Sequence, residues 1–273
     1  GTKPVRLTFG VWDGGPIWSP DGQWIAYGVD ENSGDVWVVP SVGGASRQLT
    51  TGPARDNPVG WLPDGSGVIV RREGVGDTQT LVAPLDSGPV RPLFAAPAGN
   101  VSAFPSPDGS KVAFILSRGG RSTLWVQGTA GGPARQLTTD GLEGARIERM
   151  WSPDGRFLLF ESRRTGTQDI WVANVETGAL RQLTDDVRND WGAAWSPDGR
   201  WLVFNSDRGG QTDLWVVAAE GGPARRVTAN LALEGNASWS PDGRRIVYSP
   251  TSPRVSIDAM PADGGAARSL VTL

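Results

Sequence analysis

The 273-residue chain contains no cysteine and no histidine. Without cysteine there is no disulfide, no thiolate nucleophile and no thiolate-bound zinc, and the chain suits any redox compartment. Without histidine the commonest general base near neutral pH and the commonest transition-metal ligand are both missing. A Ser-His-Asp triad is therefore excluded, and no G-x-S-x-G elbow occurs. Lysine is scarce, with Lys3 and Lys111 standing against 24 arginines. The formal net charge is −3 and the arginines are scattered, which gives no footprint for nucleic acid. No apolar run approaches the roughly 18 residues of a membrane span, so membrane insertion is not expected.

What the chain has instead is repetition. The letters "WSPDG" stand at 18–22, 151–155, 195–199 and 239–243, with degenerate copies "WLPDG" from Trp61 and "PSPDG" from Pro105. The turn glycines Gly22, Gly65, Gly109, Gly155, Gly199 and Gly243 are separated by 43, 44, 46, 44 and 44 residues. A fixed period in this range marks a repeat architecture.

Each copy has the same internal order. After the turn comes a short apolar run such as "WIAYG" from Trp24 or "WLVFN" from Trp201, apolar on both faces as a strand between two sheets must be. A polar loop leads to a second strand such as "DVWVV" at Asp35, "DIWVA" at Asp169 or "DLWVV" at Asp213. A glycine-rich turn then leads to "RQLT" at Arg47, Arg135 and Arg181, or "RRVT" at Arg225. With the strand that runs into each turn, this predicts an all-β fold, a six-bladed β-propeller of four-stranded antiparallel blades, as a single domain over 1–273. A linear solenoid is the competing geometry. Seven "RLT"-type segments serve six blades, so the N-terminal strand over 4–9 is expected to pair with the last blade and close the ring.

Proline followed by Asp-Gly presets a tight turn, and the aspartate can cap the turn's own amides. The turn tryptophans 18, 61, 151, 195 and 239, and Trp37, Trp125, Trp171 and Trp215 of the third strands, recur at fixed blade positions and are expected to pack blade against blade.

The succession "WSPDG", "LVF", "DLWVV", "GGPARRVT" resembles the TolB-like propeller repeat of the WD40-like Pro-Asp family, over nearly the whole chain. The resemblance implies a bacterial scaffold for protein binding and a domain of a larger protein; it fixes no compartment and slightly favours a periplasmic or other extracytoplasmic one. The start at "GTKP", without the layout of a signal peptide, reads as a domain cut or a tag scar. Other bearers of the repeat leave alternatives: the gating propeller of a prolyl-oligopeptidase-like or tricorn-like peptidase without its catalytic domain, or an engineered propeller. Pectate-type lyases with this repeat depend on histidine-bound metal, which this chain cannot supply.

Function in a repeat protein sits where the copies differ. Five residues before each turn Trp or its equivalent stand Asp13, Asp56, Asn100, Arg146, Asp190 and Glu234, and two extra residues in the fourth repeat let Glu143 or Glu148 take its place. This position opens the innermost strand, so the side chains should ring one mouth of the channel. Outside it come loops carrying Arg71, Arg72, Arg118, Arg121, Arg163, Arg164 and Arg208, while Trp12 and Trp191 flank two ring acids. Either the acids cap their own loops and pair with arginines, or the mouth receives a protein or peptide with the two tryptophans as anchors. The expectation is a monomeric, non-catalytic binding module without a cofactor. Calcium at the mouth and a carboxylate-based glycosidase drawing on Asp13, Asp56, Asp190 and Glu234 are the remaining alternatives.

Overall fold

The computed structural model describes residues 7–8, 13–29, 34–74, 77–86, 88–139, 142, 150–228, 233–251, 256–263 and 268–272. The chain divides into two compact units, 1–136 and 137–273. Among the described residues there is no helix, and every sheet is antiparallel.

The first unit holds three four-stranded sheets. Sheet 1 is β1 (Asp13–Trp18), β2 (Trp24–Val29), β3 (Asp35–Pro40) and β4 (Arg47–Gln48). Sheet 2 is β5 (Arg55–Trp61), β6 (Gly67–Glu73), β7 (Gln79–Pro84) and β8 (Arg91–Pro92). Sheet 3 is β9 (Asn100–Pro105), β10 (Lys111–Arg118), β11 (Arg121–Gly128) and β12 (Arg135–Gln136).

The second unit holds the other three. Sheet 4 has β13 (Phe157–Ser162), β14 (Asp169–Asn174) and β15 (Leu180–Gln182), and a bridge between Trp151 and Leu158 extends it on the inner side. Sheet 5 is β16 (Asp190–Trp195), β17 (Trp201–Ser206), β18 (Asp213–Ala218) and β19 (Arg225–Arg226). Sheet 6 is β20 (Leu233–Trp239), β21 (Arg245–Thr251), β22 (Ser256–Pro261) and β23 (Arg268–Thr272). These are the six blades that the 44-residue period predicts. The fourth strand of sheet 6 comes from the C-terminal segment. Of the N-terminal segment 4–9, Leu7 packs on Ile25, Tyr27 and Val39 of sheet 1, and residues 4–6 and 9 lie outside the described residues.

The continuous apolar runs follow from burial on both faces. In sheet 5, Leu202 and Phe204 pack toward Leu159, Ile170 and Val172 of sheet 4, whereas Val203 between them packs toward Ile246 and Tyr248 of sheet 6. Successive strand residues point to opposite faces, so both sets must be apolar. The turn tryptophans join blade to blade: the indole N–H of Trp61 donates to the Ile17 carbonyl (3.1 Å), that of Trp195 to Met150 (3.2 Å) and that of Trp239 to Ala194 (3.2 Å). Each places a large apolar ring in the joint and satisfies its polar end there. Trp18 departs from this expectation and is 59% exposed.

The WSPDG turn is a closed local network. Ser19 Oγ donates to Asp21 Oδ1 (2.6 Å) and accepts from the Trp24 N–H, while the Gln23 N–H donates to the same aspartate. Gly22 lies at φ 70°, which a side chain would make costly. Where Leu62 replaces the serine, Ser66 supplies both hydrogen bonds to Asp64. These bonds hold the carboxyls of Asp21, Asp64, Asp108, Asp198 and Asp242 below the ordinary range, furthest for Asp108, which the Ser106 and Ser110 hydroxyls bring to about 2.

Candidate functional site

The strand-opening position falls where the sequence places it. Asp13, Asn100 and Asp190 are the first residues of β1, β9 and β16, and Asp56 and Glu234 are the second residues of β5 and β20. For Asp13, Asn100 and Glu234 only the backbone is described, and Trp12, Glu143, Arg146 and Glu148 lie outside the described residues. Asp56 and Asp190 are therefore the two ring acids whose surroundings can be read, one in each unit.

In the first unit Asp56 is buried, and its backbone N–H donates to the Gly34 carbonyl (2.7 Å) on the neighbouring sheet. Its cross-strand partner is Arg72, whose Nε and a terminal nitrogen donate to Oδ1 and Oδ2, both at 2.7 Å. This two-pronged pair fixes both oxygens of the acid. Arg71 and Arg72 thus lie inside β6 and not in a loop as expected, because the second strand of this blade runs on to Glu73, with which Arg71 pairs at 2.9 Å. Close by, Asp35 opens β3, and its carboxyl is raised by burial and by the charge of Asp56.

In the second unit Asp190 is 0% exposed, and its N–H donates to the Gln168 carbonyl (2.7 Å) on sheet 4. Its cross-strand partner is Ser206, and the arginine stands two residues further on. Arg208 reaches back, donates through Nε to Ser206 Oγ (2.9 Å), and shares one terminal nitrogen between Asp190 (2.7 Å) and Asp186 (2.5 Å). Its guanidinium lies 4.9 Å from the Trp215 ring centroid and 5.3 Å from that of Phe204, in the range of cation–π attraction. Burial above all pushes the Asp190 carboxyl up to about 6; Asp186 adds to the rise, while Ser206, Thr184 and Arg208 oppose it.

Three further groups complete this region, and sequence reasoning missed their roles. Glu161, at the end of "FLLFE", accepts from the Gly192 N–H on sheet 5 and from Gln168 Nε2, both at 2.6 Å. Gly192 forms the bulge of β16 at φ 65°, where a Cβ would come 2.7 Å from Asn205 Nδ2. Trp191, half-buried beside it, offers its carbonyl to that same amide (3.3 Å). The aspartates that head the third strands, Asp169 and Asp213, are buried as well. Asp213 pairs with Arg226 at 2.5 Å, and the Asp169 carboxyl is raised by burial among Thr165, Thr167 and Gln182. The threonine of "RQLT" or "RRVT" accepts from the N–H of the second residue of that strand, Thr50 from Val36, Thr184 from Ile170 and Thr228 from Leu214. The recurrence of Asp and Thr at these places was the available signal. The arrangement is a buried acid frame, held by arginines and hydroxyls, at the end of the blades opposite the WSPDG turns.

The chain is 31% identical over 119 residues to a Tol-Pal system protein TolB from Anaeromyxobacter dehalogenans, a match that takes in 44% of the chain and 25% of that relative's length. It superposes on the structure of a putative TolB from Agrobacterium tumefaciens with a TM-score of 0.65 at 26% identity, covering 84% of this chain and 85% of that one. On a puromycin-hydrolyzing peptidase from Mycobacterium tuberculosis the TM-score is 0.78 at 17% identity, covering 98% of this chain but 46% of that one, a likeness of fold alone. The profile of the TolB beta propeller domain matches residues 106–272, more than half of the chain. With that match, and six antiparallel sheets at the predicted period, the chain belongs to the TolB beta propeller domain family and has the six-bladed all-β fold.

Proposed function

We propose that the chain is a non-catalytic module that binds a protein or peptide partner at the end of the blades where the innermost strands open. The observation that carries this reading is the state of the acids there. Asp56 is clamped by Arg72 through both oxygens, and Asp190 is fully buried with Arg208 shared between it and Asp186, so neither acid stands open to a substrate. A general acid or base must instead exchange its proton freely with a substrate. Beside this frame Trp191 stands half-buried on a bulged strand, the kind of aromatic anchor and re-aimed backbone that recognition surfaces use. The TolB relative is by name a component of a Tol-Pal system, which favours a protein partner.

Panning a phage-displayed peptide library on the immobilised chain, then titrating the enriched peptides by calorimetry, tests the reading. Trp191→Ala should weaken binding by at least about tenfold while leaving the unfolding midpoint within a few degrees of the parent. Binding indifferent to Trp191→Ala would move the site elsewhere. Turnover of aryl glycosides abolished by Asp190→Asn would replace the binding module with an enzyme.

A further inference from the structure

The WSPDG end of the second unit carries a second feature. A groove of 540 Å³ lies between sheets 5 and 6, lined by Asp198, Trp201, Arg225, Trp239, Asp242 and Asp263 among others. Trp201 is 45% exposed there. It opens β17, and the equivalent first residue of the second strand is Trp24 in sheet 1 and Phe157 in sheet 4. Both of those rings are covered from within the chain: Arg47 lies over Trp24 and Arg156 over Phe157, each guanidinium 5.9 Å from the ring centroid.

Trp201 lacks such a cover among the described residues, and the reason can be traced. Arg225 occupies in sheet 5 the place that Arg47 occupies in sheet 1, each paired with the first valine of a "WVV" strand, Val216 and Val38. Its guanidinium is drawn instead across to sheet 6, where it donates to the carbonyls of Asp263 (2.9 Å) and Ala262 (3.0 Å). The indole is left partly exposed in a groove that three carboxylates also line. Asp198 and Asp242 are kept ionised by the hydroxyls of Ser196 and Ser240, and Asp263 is exposed. A neighbouring groove of 490 Å³ between sheets 4 and 5 shares Asp198, so an extended segment can run from one to the next.

We propose that the groove between sheets 5 and 6 docks an extended peptide segment through an arginine side chain, its guanidinium laid on Trp201 and its N–H groups turned to Asp198, Asp242 and Asp263. The planar guanidinium both stacks on an indole and forks onto carboxylates, which an ammonium does not do. The chain supplies its own precedent in Arg47 on Trp24. This site stands at the end of β16 and β17 opposite Asp190, and it does not depend on the partner reading given above.

The test titrates the ¹⁵N-labelled chain with acetyl-Gly-Ser-Arg-Ser-Gly-amide and with the same peptide carrying glutamine for arginine. The arginine peptide should saturate the shift of the Trp201 indole N–H with Kd on the order of 1 mM, and the glutamine peptide should not. Trp201→Ala, read at the Ala262 and Gly199 amides, should weaken binding about tenfold, as should Asp263→Asn to a lesser degree. Both residues are exposed, so the fold is retained. Equal shifts with the two peptides, shifts spread evenly over all tryptophans, or no saturation by about 20 mM would overturn the proposal. Trp191→Ala should leave this titration unchanged, which separates its outcome from that of the partner site.

Discussion

Asp56 in the first unit and Asp190 in the second occupy the same place in their blades, and each donates its N–H to a carbonyl of the preceding sheet. They differ in how an arginine meets them. Arg72 sits directly across the strand pair and grips both oxygens of Asp56. Arg208 comes from two residues beyond, over Ser206, and meets Asp190 end-on. The end-on approach leaves one nitrogen edge shared with Asp186, which stands two residues after Thr184 where the first unit has Gly52 after Thr50. A shift of two residues in one arginine and one glycine-to-aspartate difference turn a closed pair into a triad.

The comparison can be broken at three points. The largest effect is expected from Arg72→Ala, which leaves Asp56 charged and buried without a partner; about 3–5 kcal/mol of stability should be lost in urea unfolding at pH 7. A loss within about 0.5 kcal/mol would mean that the pair does not fix the blade.

The next is a pH effect. Because Asp190 titrates near 6 in the folded chain and near about 4 when unfolded, the folded state holds the extra proton between these values. Stability from this group therefore falls as pH rises through about 4 to 6, by about 3 kcal/mol. Asp190→Asn should flatten that slope, and parallel curves for parent and variant would refute it. Asp21, Asp64, Asp108, Asp198 and Asp242 in the turns act in the opposite sense at lower pH. Their lowered carboxyls stabilise above about 4, and that contribution is lost as pH falls toward the folded value, about 2 for Asp108.

The smallest effect tests the triad itself. Asp186→Asn leaves Arg208 to Asp190 alone and removes a like charge, so stability at pH 7 should change by less than about 1 kcal/mol. The pH at which Asp190 titrates, followed by its carboxyl carbon resonance, should fall. An unchanged titration would show that burial accounts for the rise without Asp186.

Legibility in the sequence followed the range of each interaction. The WSPDG turn was readable because Ser19, Asp21 and Gly22 satisfy one another within a few residues. The inter-blade role of Trp61, Trp195 and Trp239 was readable because one repeat later the same joint recurs. Trp18 carries the same letters yet stands exposed, so a repeat names a position and not its surroundings. The linkage of Glu161 to Gly192 spans 31 residues between sheets and had no repeat to announce it. The exposure of Trp201 likewise depends on where Arg225 finds carbonyls on the next sheet.

The sequence by itself determined the period, the strand order within each blade, the turns and the two-sided apolar core, since all of these rest on contacts between near neighbours or on a pattern written six times. Only the tertiary structure decided which arginine meets which acid, that Asp190 shares Arg208 with Asp186, and that Trp201 stands partly exposed in a groove that three carboxylates also line. Those outcomes turn on the reach and direction of long side chains across strands and sheets, and a few ångströms there separate a buried pair from an open groove.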